Sequence, residues 1–310
     1  MLGFIVFIMR HLPLPCGQKA TIYNSGPPPE YTESCHHFVV CCAIVWHDVV
    51  LSLYLVSSIF IINAIMYNTI ILHIPHSSLN FDFVNGDPLE ILGREFILQS
   101  MTLVDWDTDE LFMPYNSDDK IIPVVFDTCR TLIDVERMCD DPLESRGLGI
   151  TAYALLPKGD SGYPIRQTPE EDTRYMKKYL EHQHKLANLL AEYHNSILID
   201  CHSFSPGSTI LQPDASKNSE VDICIGFNED RTRPSEETLT LVEKHFQERG
   251  YRVAFNVPFS NSKTVETPAK YTSLMIEVNK DLYTGELGIC KGDSFDKVRE
   301  DIVSLYEKLL

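Results

Sequence analysis

The sequence predicts an α/β protein, a three-layer αβα sandwich around a mixed, mainly parallel central sheet. Three observations carry that expectation. Short β-branched runs alternate with amphipathic stretches from Thr69 to the C-terminus, the run Ser196–Asp200 reads as a strand buried on both faces, and 44% of the 310 residues are hydrophobic, enough for a full core.

The first strand is TIILHI (69–74), followed by IIPVVF (121–126) and SILID (196–200), each short and rich in β-branched residues. A long helix is expected to begin at Thr168, where Thr-Pro-Glu-Glu supplies an N-cap, a proline at the first helical position and Glu171 for a capping box. Its apolar positions Tyr175, Tyr179, Leu186, Leu190 and Tyr193 fall near one face, so it should cover the sheet. VDICIGF (221–227) and YRVAF (251–255) are further strands. Between them a helix starts near Ser235, carries Glu236 and Glu237 in its first turn, and stops before Gly250. SLMIEV (273–278) is the last strand, and the final helix runs from about Phe295 with Phe295, Val298, Ile302, Leu305 and Leu309 as its apolar stripe.

Residues 1–65 differ from everything after them, with Arg10, Lys19, Glu30, Glu33 and Asp48 as their only charged groups. Val49–Tyr67 is long enough to span a bilayer, but it has no Lys or Arg flank and runs almost directly into the strand at Thr69. The reading adopted takes Met66 as the natural start, with 1–65 an apolar extension outside the native fold and 66–310 a single domain. A membrane or targeting segment is the alternative.

Nearly all of the net charge of −18 resides after residue 65, and no cluster of Lys and Arg offers a phosphate-binding surface. This excludes nucleic acid as an expected partner. Nine cysteines without a CxxC pair or a regular framework point to a reduced, cytoplasmic compartment.

Polar clusters sit at or beyond the strand ends, where open α/β sheets bind ligands. They are His73 and His76 in HIPHSS, Asp105, Asp107 and Asp109 in DWDTDELF, Asp200-Cys201-His202, and Glu277 in SLMIEVNKDLY. A zinc site built for hydrolysis needs three imidazole or carboxylate ligands, an open position for water and a nearby base, and this inventory meets that need. Each cluster also has a structural reading: a histidine bonded to Asp200, an acidic helix start, a salt-bridged strand glutamate. His73 and His76, three apart on an extended strand end, should not share one metal. His182, His184 and His245 read as solvated helix histidines. Arg130 and Arg137 in RTLIDVER could hold a substrate carboxylate, with Asp134 orienting one of them, or form a surface ion-pair network.

Taken in order, IPHSS, DWDTDELF, RTLIDVER, IDCHSFS and IEVNKDLY resemble the N-formylglutamate amidohydrolase family over nearly all of 70–285. The resemblance implies a phosphorylase/hydrolase-like fold related to zinc carboxypeptidases, and hydrolysis of the amide bond of a small anionic N-formyl or N-acyl amino acid, with 66–310 as the catalytic domain. It implies one zinc ion held by His76, Asp105 and His202, with Glu277 as general base and Asp200 supporting rather than ligating. Three positions depart from the family pattern: Ser78 where glycine is common, Glu136 where asparagine is, and Lys280 where arginine is. Glu136 adds negative charge beside the carboxylate clamp. A carboxypeptidase-like peptidase, a non-catalytic relative and a membrane-anchored protein are the alternatives.

Overall fold

The structure, a computed structural model, describes residues 67–82, 84, 86–138, 141, 149–151, 154–158, 161–164, 169–206, 220–286 and 288–310. The extension 1–65, the candidate span as far as residue 66, the start at Met66, and the expected cap Thr168 lie outside them.

Strand β1 (Thr69–Ile74) pairs in parallel with β2 (Ile121–Val125) on one side and with β5 (Ser196–Phe204) on the other. Beyond β5 lie β8 (Thr272–Asn279), parallel to it, then β6 (Ile223–Gly226), antiparallel to β8, and β7 (Val253–Phe255), parallel to β6. The sheet order is therefore β2-β1-β5-β8-β6-β7, mixed and mostly parallel as expected. A separate antiparallel hairpin pairs β3 (Ala154–Lys158) with β4 (Ser161–Pro164).

Side chains alternate across each strand, and the alternation separates the two faces. Ile70, Leu72 and Ile74 of β1, Ile197, Ile199 and Cys201 of β5, and Leu274, Ile276 and Val278 of β8 enter one core. Helix α5 (Glu236–Gln247) closes that core with Leu239, Val242 and Phe246, and α6 (Phe295–Leu309) closes it with the five residues of its predicted stripe. On the opposite face Ile71, Val124 and Leu198 pack against Leu186 and Leu190 of α4 (Pro169–Glu192). These are the three layers. A further cluster joins Tyr175 and Tyr179 of α4 to Phe96 and Leu103 of α2 (Arg94–Leu103) and to Leu132, Ile133 and Val135 in the segment after β2. It braces the loops that carry the polar residues.

Three short helices between β1 and β2 were not anticipated as a set: α1 (Pro88–Leu92), α2, and α3 (Thr108–Leu111). Helix α3 does follow the acidic-start reading of DWDTDELF, with Asp107 at its N-cap and Asp109 and Glu110 in its first turn. Ser235 caps α5 as expected, its side chain accepting from the Thr238 amide. Three expectations need correction. The strand placed at 196–200 continues to Phe204, because its register with β8 extends through His202 and Ser203. His182 and His245 are buried, not solvated, since each lies on the apolar stripe of its helix.

Ile276 is fully buried on the central strand β8. Ile276→Ala should cost about 2–5 kcal/mol in urea unfolding, whereas Leu98→Ala, at a site 46% exposed, should stay within about 0.5 kcal/mol.

Candidate metal centre and active site

The alternation that buries Ile197, Ile199 and Cys201 turns Asp200 and His202 to the α4 side of the sheet. Register sets His73 of β1 beside Asp200 and Glu277 of β8 beside His202. His76 follows β1 by two residues, and its carbonyl accepts from the amide of Asp105 at 2.9 Å, which fastens the loop after α2 to the strand end. Arg130, Asp134, Glu136 and Arg137 come from the segment after β2, and Lys280 begins the 3-10 turn after β8. Four neighbouring parallel strands thus deliver the polar residues to one edge.

His76 Nδ1 and His202 Nδ1 face each other at 3.3 Å. Asp105 Oδ2 lies 3.1 Å from the second and 3.6 Å from the first. The outer nitrogens are both taken: His76 Nε2 meets Asp134 Oδ1 at 2.8 Å, and His202 Nε2 meets Asp200 Oδ1 at 3.1 Å. If each outer nitrogen donates its hydrogen to its carboxylate, both inner nitrogens present lone pairs to one point beside a carboxylate oxygen. Such a donor set could hold a metal ion, and carboxylates behind ligating imidazoles are the usual support for one. Burial lowers the His202 imidazole, but Asp200 and Asp105 overcome it and the net shift is strongly upward. Burial likewise pushes the Asp105 carboxyl up, and hydrogen bonds from His202 and His76 bring it below the ordinary range. The field at this point favours positive charge.

Glu277 stands beside this group with a different balance. Burial dominates, raising its carboxyl to about 8, and Oε2 makes no hydrogen bond in the described structure. Glu277 lines a cavity of about 200 Å³ together with His76, Asp105, His202, Arg130, Arg137 and Lys280. Arg130 gives Nε and Nη2 to Asp134 Oδ2 at 3.3 and 2.9 Å, so most of its fork is used. Arg137 Nε lies 3.4 Å from the same oxygen without a hydrogen bond. Of the anticipated arginine pair Arg130 is buried and Arg137 half-buried, and Asp134 touches both arginines and His76. Lys280 Nζ donates to the carbonyl of Val104 and sits 3.8 Å from Asp105 Oδ1.

All six site residues singled out in the sequence line this one cavity. His73 does not join His76, as expected. Its Nδ1 contacts Asp200 Oδ1 at 2.9 Å and Glu136 Oε1 at 3.1 Å, and its Nε2 lies 2.9 Å from His182 Nε2. The sequence reading missed this second group, although the apolar stripe of α4 already pointed His182 inward.

A sequence model of N-formylglutamate amidohydrolases matches residues 69–284. The chain belongs to the N-formylglutamate amidohydrolase family. A solved N-formylglutamate amidohydrolase from Ralstonia eutropha superposes with a TM-score of 0.59 at 20% identity, covering 78% of this chain and 92% of that one. A gene product from Agrobacterium tumefaciens gives 0.54 at 14% identity over 80% and 92%. These two likenesses bear on the fold. No curated protein matches the chain. Family membership makes the protein an amidohydrolase-type hydrolase with an α/β fold. Among the described residues no helix is long and apolar enough to cross a membrane, and Cys129, Cys201, Cys224 and Cys290 are free.

Asp134 is the shared anion of Arg130, Arg137 and His76, and burial makes its pairing decisive. Asp134→Asn should lower stability by about 3–5 kcal/mol in urea unfolding, since it strands Arg130 in the interior. An unchanged midpoint and slope would show that solvent, not Asp134, satisfies that arginine.

Proposed function

We propose that the protein hydrolyses the amide bond of a small, anionic N-formyl or N-acyl amino acid, N-formylglutamate being the first to test. One observation carries the reading: His76, Asp105 and His202 converge beside the buried, unpartnered oxygen of Glu277, in a cavity that also holds Arg130 and Arg137. A volume of about 200 Å³ is below the roughly 300–1,000 Å³ of ordinary ligand pockets, which suits an acyl amino acid better than a peptide.

His76, Asp105 and His202 would hold one divalent metal, zinc by preference, which when bound polarises a carbonyl and acidifies water. Glu277 Oε2 accepts the proton of the water that attacks the acyl carbon. The same carboxyl then gives that proton to the nitrogen as the C–N bond breaks, releasing the carboxylate, formate from a formyl group, and the free amino acid. Its burial keeps the proton affinity high enough for both transfers. Arg137, with an Nε that makes no hydrogen bond, is the better placed of the two arginines to take a substrate carboxylate, and Arg130 holds Asp134 in place. Asp134 and Asp200 fix the imidazole rings from behind. Because the family is one of amidohydrolases and the cavity is small with Arg130 and Arg137 in its lining, a small anionic metabolite is the fitting partner.

On this reading Glu277→Gln keeps bound metal and loses turnover by about 10²–10⁴-fold, while His202→Ala loses metal and turnover together. Elemental analysis and an assay across N-formyl and N-acetyl amino acids and a dipeptide check both points. Full turnover in Glu277→Gln would remove the base assignment, and cleavage of the dipeptide alone would replace the amidohydrolase reading with a peptidase.

A further inference from the structure

We propose that His73, Glu136 and Asp200 form a second divalent-cation site, separate from the group at His76. One ligand atom from each lies within 4.8 Å of the others, and each belongs to a different part of the fold: strand β1, the segment after β2, and strand β5. The donors are one imidazole and two carboxylates, a set that suits first-row divalent ions such as zinc or manganese.

The proton-based account of this cluster falls short by one hydrogen. If His73 Nδ1 carries a hydrogen, it has only that one, and the nearer acceptor is Asp200 Oδ1 at 2.9 Å. Glu136 Oε1 sits 3.1 Å from the same nitrogen, has under 1 Å² of accessible area, and makes no hydrogen bond. Lys263 does not bond that oxygen: its Nζ donates one of its three hydrogens to the carbonyl of Val135 at 2.6 Å, and its backbone amide donates to Asp200 Oδ2 at 2.9 Å. Glu136 Oε1 thus has the His73 ring beside it but no hydrogen bond, and a cation at the Nδ1 side would satisfy it together with the Asp200 oxygen and the ring lone pair.

The rest of the surroundings agree with a metal ligand. His73 Nε2 meets His182 Nε2 at 2.9 Å, so the nitrogen opposite Nδ1 has a fixed partner, as ligating imidazoles do. A second cavity of about 300 Å³, lined by Glu136, Asp200, Asn228, Lys263 and Met275, gives an ion a route to the cluster. Asp200 Oδ1 also accepts from His202 Nε2, so an ion bound here holds the carboxylate that sets the ring of the first site.

The test is equilibrium dialysis of the chelator-stripped full chain against zinc and, separately, manganese, followed by elemental analysis of wild type, Glu136→Gln, His202→Ala and the double variant. The expected content is about two ions per chain in wild type, about one in each single variant and none in the double. One ion in wild type that Glu136→Gln leaves unchanged overturns the second site without touching the first, and two ions retained in Glu136→Gln place the second ion elsewhere. Cadmium NMR of the loaded wild type reads the same question without a variant: two resonances support the proposal and one overturns it. One ion in wild type that Glu136→Gln removes and His202→Ala leaves in place would instead count against the reading of the first site.

Discussion

Everything at the site depends on one constraint, the two-residue alternation of the central strands. Strand β5 cannot bury Ile197, Ile199 and Cys201 against α5 and α6 without presenting Leu198, Asp200 and His202 to the other side. The same rule in β8 buries Leu274, Ile276 and Val278 and turns Glu277 toward His202. A one-residue slip of either strand would put apolar groups in the cavity and carboxylates in the core, so the hydrophobic effect that builds the sheet also fixes the register of the polar groups. That is why an apolar run can end in Asp-Cys-His: only the cysteine follows the core.

Burying so many ionisable groups is tolerable because each is set against an opposite one. Asp134 is shared by Arg130, Arg137 and His76, and Asp200 by His73, His202 and the Lys263 amide. Arg130 and Asp134 each lie in the field of the other, which holds the carboxyl well below its usual range against the upward push of burial. Charge pairs of this kind contribute little net stability but are costly to break, so they resist rearrangement more than they stabilise. The two carboxylates that sit behind the imidazoles thereby become rigid supports, and the inner nitrogens have no freedom to turn away. Glu277 is the exception in this network: it is buried beside both acids and bases, its Oε2 makes no hydrogen bond, and burial is the main cause of its raised proton affinity.

Much of this was legible in the sequence because it follows from period and end effects. The six sheet strands and the three long helices coincide with runs whose apolar spacing is 2 or 3.6, and His76, His202 and Glu277 lie at or just past those runs. What escaped has physical reasons. SILIDCHSF gives no local signal for a strand end at residue 200, since the extension to Phe204 is made by pairing with β8, a long-range contact. His182 and His245 were misjudged by residue type, although Tyr179, His182 and Leu186 share one stripe and so do Val242, His245 and Phe246. The role of Lys263, in a loop without periodicity, was visible only once β8 brought that loop against β5.

The segment after β2 shows how an irregular stretch can be as specified as a strand. Leu132, Ile133 and Val135 pack under Tyr175, Tyr179 and Phe96, so every other position of this short run is free to be polar. Asp134 then points to the first imidazole and to the arginines, while Glu136 points to His73, one sequence segment serving two clusters 0–5% exposed at their histidines. The apolar anchors and the acids alternate for the same reason as in the strands, because the segment lies against the end of the sheet with one side in the core. Substituting an amide for Glu136 would leave those anchors intact and change only the charge facing His73. The charge of this residue thus bears on His73 and not on the packing of the fold that carries it.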